Sequence, residues 1–554
     1  MAIQQFLTRE RNTKREVVRA LGRRESMGPL NMADVAEERA EEAKRMLTAW
    51  IQASNYEGAD PAGQTRNALI ELLQALGFRN VQVSSVDAVA SEKARTYNVQ
   101  ADPIVEQRTC VIPHYGSLAG GRYRILCVWK RPSEEELVDL AGSMHQHDRP
   151  LLILYFGNMS ESRRRSLALL CKQRPRSFLL VDENLIFFLA TEKGLRLPSL
   201  FSCTFPFTVA DPYTTTAGLV PFEMFFGRRS ERASVFEPTG TCLVYGGRQL
   251  GKTALLRDVE RRHHTPAKGL IVRWIDLKAE GIGLNRPIGD LWVIIARILN
   301  QEKVLSRHEF KPDGLGNAVE EWLAQDAKRR IVLLLDEADA FLKSDAETRV
   351  GPSHDAFSNL WRLKGIMDKT SRRFKVVFAG LHNVQRTSRD VNSPLAHLGA
   401  PICIGPLLGS GEWREARRMV TMPFSQLGYQ FDATEDLPTR ILALANWYPS
   451  LIQLFCKHLL EHLTHPNRPS FSVQSCPPYV ITAKHIEDAY QSQELRKAIV
   501  DRFRWTLDLD PRYRLIALVI ALECATQRDG FITGFSVQWI REQALSWWEA
   551  GFRS

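Results

Sequence analysis

From Thr241 to Ala254 the chain reads Thr-Cys-Leu-Val-Tyr-Gly-Gly-Arg-Gln-Leu-Gly-Lys-Thr-Ala. An apolar run ends on a glycine-rich turn, and a segment with helical spacing follows. The pattern is G-x-x-x-x-G-K-[ST], the phosphate-binding P-loop, and few folds accommodate it. A buried strand must end where a helix begins, with backbone N–H groups curled around an anion. Gly246, Gly247 and Gly251 permit the curl, and Arg248, Gln249, Leu250 and Ala254 complete the cradle. Lys252 is placed to reach the β- and γ-phosphates, and the Thr253 hydroxyl to ligate Mg²⁺.

A second motif completes the first. Ile331-Val332-Leu333-Leu334-Leu335 precedes Asp336-Glu337-Ala338-Asp339. Five consecutive aliphatic residues suit a strand buried on both faces of a parallel sheet. The carboxylates emerge at its C-terminal end, where open α/β sheets place their ligands. Asp336 is placed to hold Mg²⁺, directly or through water, and Glu337 to polarise the attacking water. Acidic residues are also favoured at any helix N-terminus, but that reading leaves the upstream P-loop unexplained. The two motifs together predict ATP binding and hydrolysis. Asp-Glu-Ala-Asp also spells a helicase motif; no Ser-Ala-Thr stretch and no His-Arg-x-Gly-Arg-like segment follows it, so the helicase reading fails.

A chain of 554 residues is too long for one core. No run approaches 18 apolar residues, which excludes a membrane-spanning helix. Glu10, Glu16 and Glu25 interrupt the basic N-terminus, so it reads as a solvated helix rather than a transit peptide. Nine cysteines are scattered without a C-x-x-C pair, the usage of a reducing cytoplasm without a zinc site. The net charge of +10 permits nucleic-acid binding without localising it.

The expected architecture is α/β and multidomain. A basic segment (1–38) precedes a small α/β domain (39–194), and a Pro-, Thr- and Phe-rich connector (195–224) resists regular structure. A P-loop core (225–408), a helical lid (409–482) and a winged-helix-like segment (483–554) complete the chain. Apolar helices over 512–524 and 536–548, joined through Gly534, carry the last expectation. The three terminal aromatics and the lack of a following strand pair lead us to expect that this domain continues past Ser554. In the core, the carboxylates sit on a strand other than the P-loop strand, the mark of the additional-strand class. The strand over 374–380 runs into Leu381-His382-Asn383, where Asn383, or His382 beside it, is placed to sense the γ-phosphate or orient water.

From about Pro206 to Phe552 the chain resembles the STAND signal-transducing ATPases and the related origin-recognition-like AAA+ group. Phe226-Gly227-Arg228-Arg229-Ser230-Glu231 looks like the group's hydrophobic-Gly-Arg-x-x-Glu box, which implies that Gly227 and Arg228 lie against adenine. Asn446-Trp447-Tyr448-Pro449 resembles the lid's Gly-x-Pro motif with its glycine replaced, which implies nucleotide contact by Pro449. Arg372, Arg373, Arg386 and Arg389 are the arginine-finger candidates. The group's repertoire implies ATP-driven switching and assembly with itself or a protein partner, with ATP-gated binding of duplex DNA as the alternative. The N-terminal domain loosely resembles restriction-endonuclease-like nucleases, with Asp102 and Lys130 in metal-site positions. Val128 stands where that fold needs a Glu, so a degraded site and a docking role are expected, a nuclease effector being the lesser alternative.

Overall fold

The computed structural model describes residues 3, 6, 13–55, 63–85, 94–103, 110–143, 149–174, 176–216, 218–305, 312–347, 356–381, 394–465, 470–472, 475, 477–508, 511–526 and 535–548. The chain separates into two compact units, Met1–Ile486 and Glu487–Ser554.

The first unit contains two five-stranded sheets. The N-terminal sheet has the order β1 (Phe78–Ser85), β2 (Ala94–Pro103), β3 (Arg122–Val128), β4 (Leu151–Tyr155), β5 (Leu179–Asp182). β1 to β3 form an antiparallel meander, and β3 to β5 run parallel through crossover helices Glu134–Ser143 and Glu161–Gln173. Two adjacent polar residues, Arg79 and Asn80, break the alternation of β1 where its register with β2 shifts. The domain closes with the helix Glu183–Ala190, which Asp182 caps through the Leu185 N–H.

The second sheet is entirely parallel, in the order β10 (Ile402–Ile404), β6 (Leu243–Gly246), β9 (Phe374–Gly380), β8 (Arg330–Asp336), β7 (Leu270–Asp276). β9 therefore lies between the P-loop strand β6 and the carboxylate strand β8, the arrangement of an additional-strand P-loop core. Every residue of β9 is buried, and in β8 only Arg330 is not, as strands covered on both faces require. One buried residue is a lysine. Lys375 sends its ammonium to the carbonyls of Ser234 (3.0 Å), Val235 (2.9 Å) and Glu237 (2.6 Å), at the C-terminal end of helix Arg229–Phe236.

Two features depart from expectation. The connector opens with a helix, Arg196–Thr204, whose apolar face (Leu197, Leu200, Phe201) is buried; extended chain begins only after Phe207. The lid, with helices Glu412–Gln426, Leu437–Leu444 and Pro449–Leu463, also carries a parallel strand pair, β11 (Tyr429–Phe431) and β12 (Tyr479–Ile481). In the second unit the described residues form helices Gln493–Leu507, Pro511–Thr526 and Val537–Trp547 with no strand among them. No helix among the described residues is long and apolar enough to cross a membrane.

Candidate nucleotide site

The P-loop takes its shape from two local constraints. A side-chain carbon on Gly246 would stand 2.5 Å from the Ile404 carbonyl oxygen of β10, so only glycine fits between the strands. Gly251 has φ +93°, the left-handed geometry that glycine adopts freely, and starts the helix Lys252–His263. Leu250 and Ala254 are buried in the core beneath the loop with Val244, Leu255 and Val377, which leaves only their backbone N–H groups to face an anion in the loop. Arg248 is exposed at the tip.

Lys252 is 7% exposed and donates to the carbonyls of Gly246 and Gly247, both at 2.9 Å. Burial holds its ammonium below the usual lysine range, against the pull of Glu337, Asp336 and Asp339. These carboxylates come from the end of β8. Asp336 is 1% exposed and accepts the Trp274 indole N–H at Oδ2 (3.2 Å) and the Glu337 N–H at Oδ1 (3.0 Å). Its carboxyl is pushed up by burial and drawn back by hydrogen bonds from Thr253, Trp274 and Glu337 and by Lys252. The fold thus joins the P-loop threonine to the first carboxylate across the intervening strand.

Glu337 sits at φ +51°, a left-handed conformation uncommon for a residue with a side chain and concentrated at functional sites. Burial first, then the adjacent Asp336, raises its carboxyl above the ordinary glutamate range, the direction that suits a proton acceptor near neutral pH. Both oxygens of Asp339 accept the Leu381 N–H (3.2 and 2.9 Å), and the Ala338 N–H donates to Ala379. The acidic turn is thereby fastened to the end of β9. His382 and Asn383, with Arg386 and Arg389, lie outside the described residues.

Oxygen donors of this kind fit Mg²⁺. The ion takes one or two carboxylates, a hydroxyl, water and phosphate oxygens rather than an all-protein cage. Among the described residues no group of three or more His, Cys, Asp or Glu is arranged for a metal. Thr253 and Asp336 would hold the ion, with Glu337 free of ligation beside it.

Lid and connector both reach the loop. Ser450, in the first turn of the lid helix that Pro449 begins, donates to the Gln249 side-chain oxygen (3.3 Å), and Tyr448 packs on the core beneath the loop. Asn446 and Trp447 are both left-handed (φ +48° and +53°), so the turn before Pro449 adopts without glycine the backbone region that glycine favours. The connector crosses the lid helix through Thr214 N–H to Gln453 (3.0 Å). At Gly218 a side-chain carbon would stand 3.0 Å from Thr253 Cγ2.

The residues of the Gly-Arg box face the lid's entry. Arg228 pairs with Glu231 (3.2 Å) and Glu412 (3.1 Å) and donates to the Gly405 carbonyl, and a side chain on Gly227 would meet Glu412 at 3.0 Å. Arg372 donates to the His397 carbonyl, and Arg373 to those of Leu323 and Asp326, at the end of β9 remote from the P-loop. Sequence reasoning missed Trp274, Ser450, Glu412 and Lys375. Lys375 is the one charged member of an otherwise apolar strand, and that was the signal available.

In the N-terminal domain the nuclease-like pairing does not form. β2 is antiparallel to β3 with Ala94 opposite Val128 and Gln100 opposite Arg122. Asp102 and Lys130 therefore lie beyond opposite ends of the ladder, roughly 33 Å apart along the strands at about 3.3 Å per residue. The Lys130 end is filled by aromatics: Phe156 lies between Trp50 (4.8 Å) and Trp129 (5.4 Å), and the Trp129 indole donates to the Ala53 carbonyl.

No protein-family model matches the chain, and no curated protein matches it. Among solved structures it is similar to the ORC2 protein of Aeropyrum pernix in ADPNP–ADP complexes, at 15% identity over 56% of this chain and 74% of that one, with a TM-score of 0.32. It is also similar to the ORC1 protein of Aeropyrum pernix in complex with DNA, at 14% identity over 59% and 80%, with a TM-score of 0.30. What identifies the core as a P-loop fold is its strand order and the loop itself.

Proposed function

We propose that this chain is an ATP-driven molecular switch of the STAND/AAA+ type. It binds ATP with Mg²⁺, hydrolyses it slowly, and converts nucleotide state into assembly with itself or a protein partner. The supporting observation is one convergence: Lys252, Thr253, Asp336 and Glu337 meet at the carboxyl ends of β6 and β8, and lid and connector touch the same loop. Mg²⁺, when bound, neutralises phosphate charge. Lys252 stabilises charge on the β- and γ-phosphates, Glu337 takes up the proton of the attacking water, and Asn383 orients that water. The loop backbone from Gly246 to Ala254 holds the phosphates, while Gly227, Arg228 and Pro449 frame the base. Gln249, Ser450 and Gly218 give the lid and connector a means to follow the loop.

The net charge of +10 favours a second reading, in which ATP gates binding to duplex DNA. Turnover of the full chain, with and without duplex DNA at about 50 and 200 mM salt, separates them, because phosphate contacts weaken steeply over that range. Lys252→Ala serves as the blank and is expected to lose at least about 10²-fold in rate. Slow turnover indifferent to DNA supports the protein-assembly switch, whereas salt-sensitive stimulation by DNA supports the second reading. Turnover unchanged in Lys252→Ala refutes the site.

A further inference from the structure

The Mg²⁺ ligand Asp336 is held by a side chain that no motif contains. Trp274 lies on β7 beside Leu334, two residues before Asp276, which pairs with Asp336 across the ladder. That offset lets the indole reach along β8, and its Nε1 donates to Asp336 Oδ2 at 3.2 Å. Against the ring, at 4.0 Å from its centroid, lies the guanidinium of Arg257, whose buried Nε has no hydrogen-bond partner among the described residues. Arg257 follows Thr253 by one turn of the P-loop helix, and the Thr253 hydroxyl bonds to Asp336. The contacts close a ring: Thr253 to Asp336, Asp336 to Trp274, Trp274 to Arg257, and Arg257 back along the helix to Thr253.

A carboxylate turns easily about its last carbon–carbon bond, where the torsion is broad. Two donors on different oxygens, Trp274 Nε1 on Oδ2 and the Glu337 N–H on Oδ1, remove that freedom. The indole is a donor only, so it cannot be satisfied by a carboxyl turned to present O–H. Its ring is also fixed to the P-loop helix through Arg257, so the orientation of Asp336 is referred to the element carrying Lys252 and Thr253.

We propose that Trp274 is the positioning residue of the Mg²⁺ site, setting the Asp336 carboxylate plane toward Thr253, and that its indole emission reports occupancy of that site. The proposal rests on the nucleotide reading above and adds to it a residue and a spectroscopic signal. Groups that orient a metal ligand typically contribute 10- to 100-fold to metal affinity, and with one of Asp336's donors removed the lower end applies.

The test uses the full chain, ADP and MgCl₂. In Trp274→Phe the ring remains available to Arg257 and the N–H is lost. ADP affinity in EDTA is expected to stay within about twofold of wild type. The Mg²⁺ concentration that half-tightens ADP binding is expected to rise about tenfold. The change in tryptophan emission on adding Mg²⁺ to the ADP complex is expected to disappear. An unchanged Mg²⁺ midpoint in a variant that binds ADP overturns the proposal, as does an equal loss of ADP affinity with and without Mg²⁺, which marks a purely structural role. If the variant folds poorly, wild type decides alone: ADP binding tightened by Mg²⁺ without any change in tryptophan emission overturns the proposal. A wild-type chain that binds no ADP under either condition refutes the nucleotide reading itself, a separate outcome from a Trp274 that does not respond.

Discussion

Replacing Lys375 by methionine tests the least expected contact in the core. The lysine is 0% exposed, lies opposite Val332 in the middle of the sheet, and donates to three carbonyls at the end of helix Arg229–Phe236. Methionine conserves the volume and removes the donors, so the carbonyls of Ser234 and Val235 lose this partner, while that of Glu237 keeps the Gly240 N–H at 3.0 Å. At about 1–3 kcal/mol for each stranded buried group, partly offset by relief of the buried charge, the net loss at pH 7 is about 2 kcal/mol. A dependence on pH carries the sharper test. Burial lowers the Lys375 ammonium from 10.5 to about 8. Below pH 8 both folded and unfolded chains hold the proton, and the cost of burying the charge is fully present. Between pH 8 and 10.5 the unfolded chain binds more protons than the folded one, so wild-type stability rises with pH. Lys375→Met lacks this increment. The wild-type advantage should therefore widen between pH 8 and 9.5, by about 2 kcal/mol at 1.36 kcal/mol per pKa unit. Urea unfolding of both chains at pH 7, 8 and 9.5 measures it, the other titrations cancelling in the difference. An advantage that stays constant or narrows with pH refutes the reasoning.

Two further results are expected. Glu337→Gln should bind ATP with Mg²⁺ while turning it over at least about 10²-fold more slowly, measured as retained ATP after gel filtration; wild-type turnover would remove Glu337 from the proton-accepting role. Gly246→Ala must part β6 from β10, because its new carbon meets the Ile404 carbonyl at 2.5 Å. It should lose nucleotide binding by calorimetry, and wild-type affinity would show that the loop does not depend on that close approach.

What the sequence determined by itself was local. Val244 to Thr253 and Ile331 to Glu337 each carry strand, turn and functional groups within about ten residues, so motif and element can be read together. The helices after Pro449 and from Gln64 to Leu76 were equally legible, because apolar spacing and end signals lie inside the segment. Contacts between segments distant in sequence were decided only by tertiary structure. Register between β7 and β8 is set by a ladder of seven residue pairs, and that ladder brings Trp274 to Asp336. Antiparallel pairing of β2 with β3 carries Asp102 and Lys130 to opposite ends, although their sequence order alone allows one site. Lys375 sits in an otherwise apolar strand because three carbonyls from residues 234–237 surround its ammonium. A hydrogen-bond partner more than a hundred positions away leaves no local periodicity, so the sequence holds both halves of such a contact without recording that they meet.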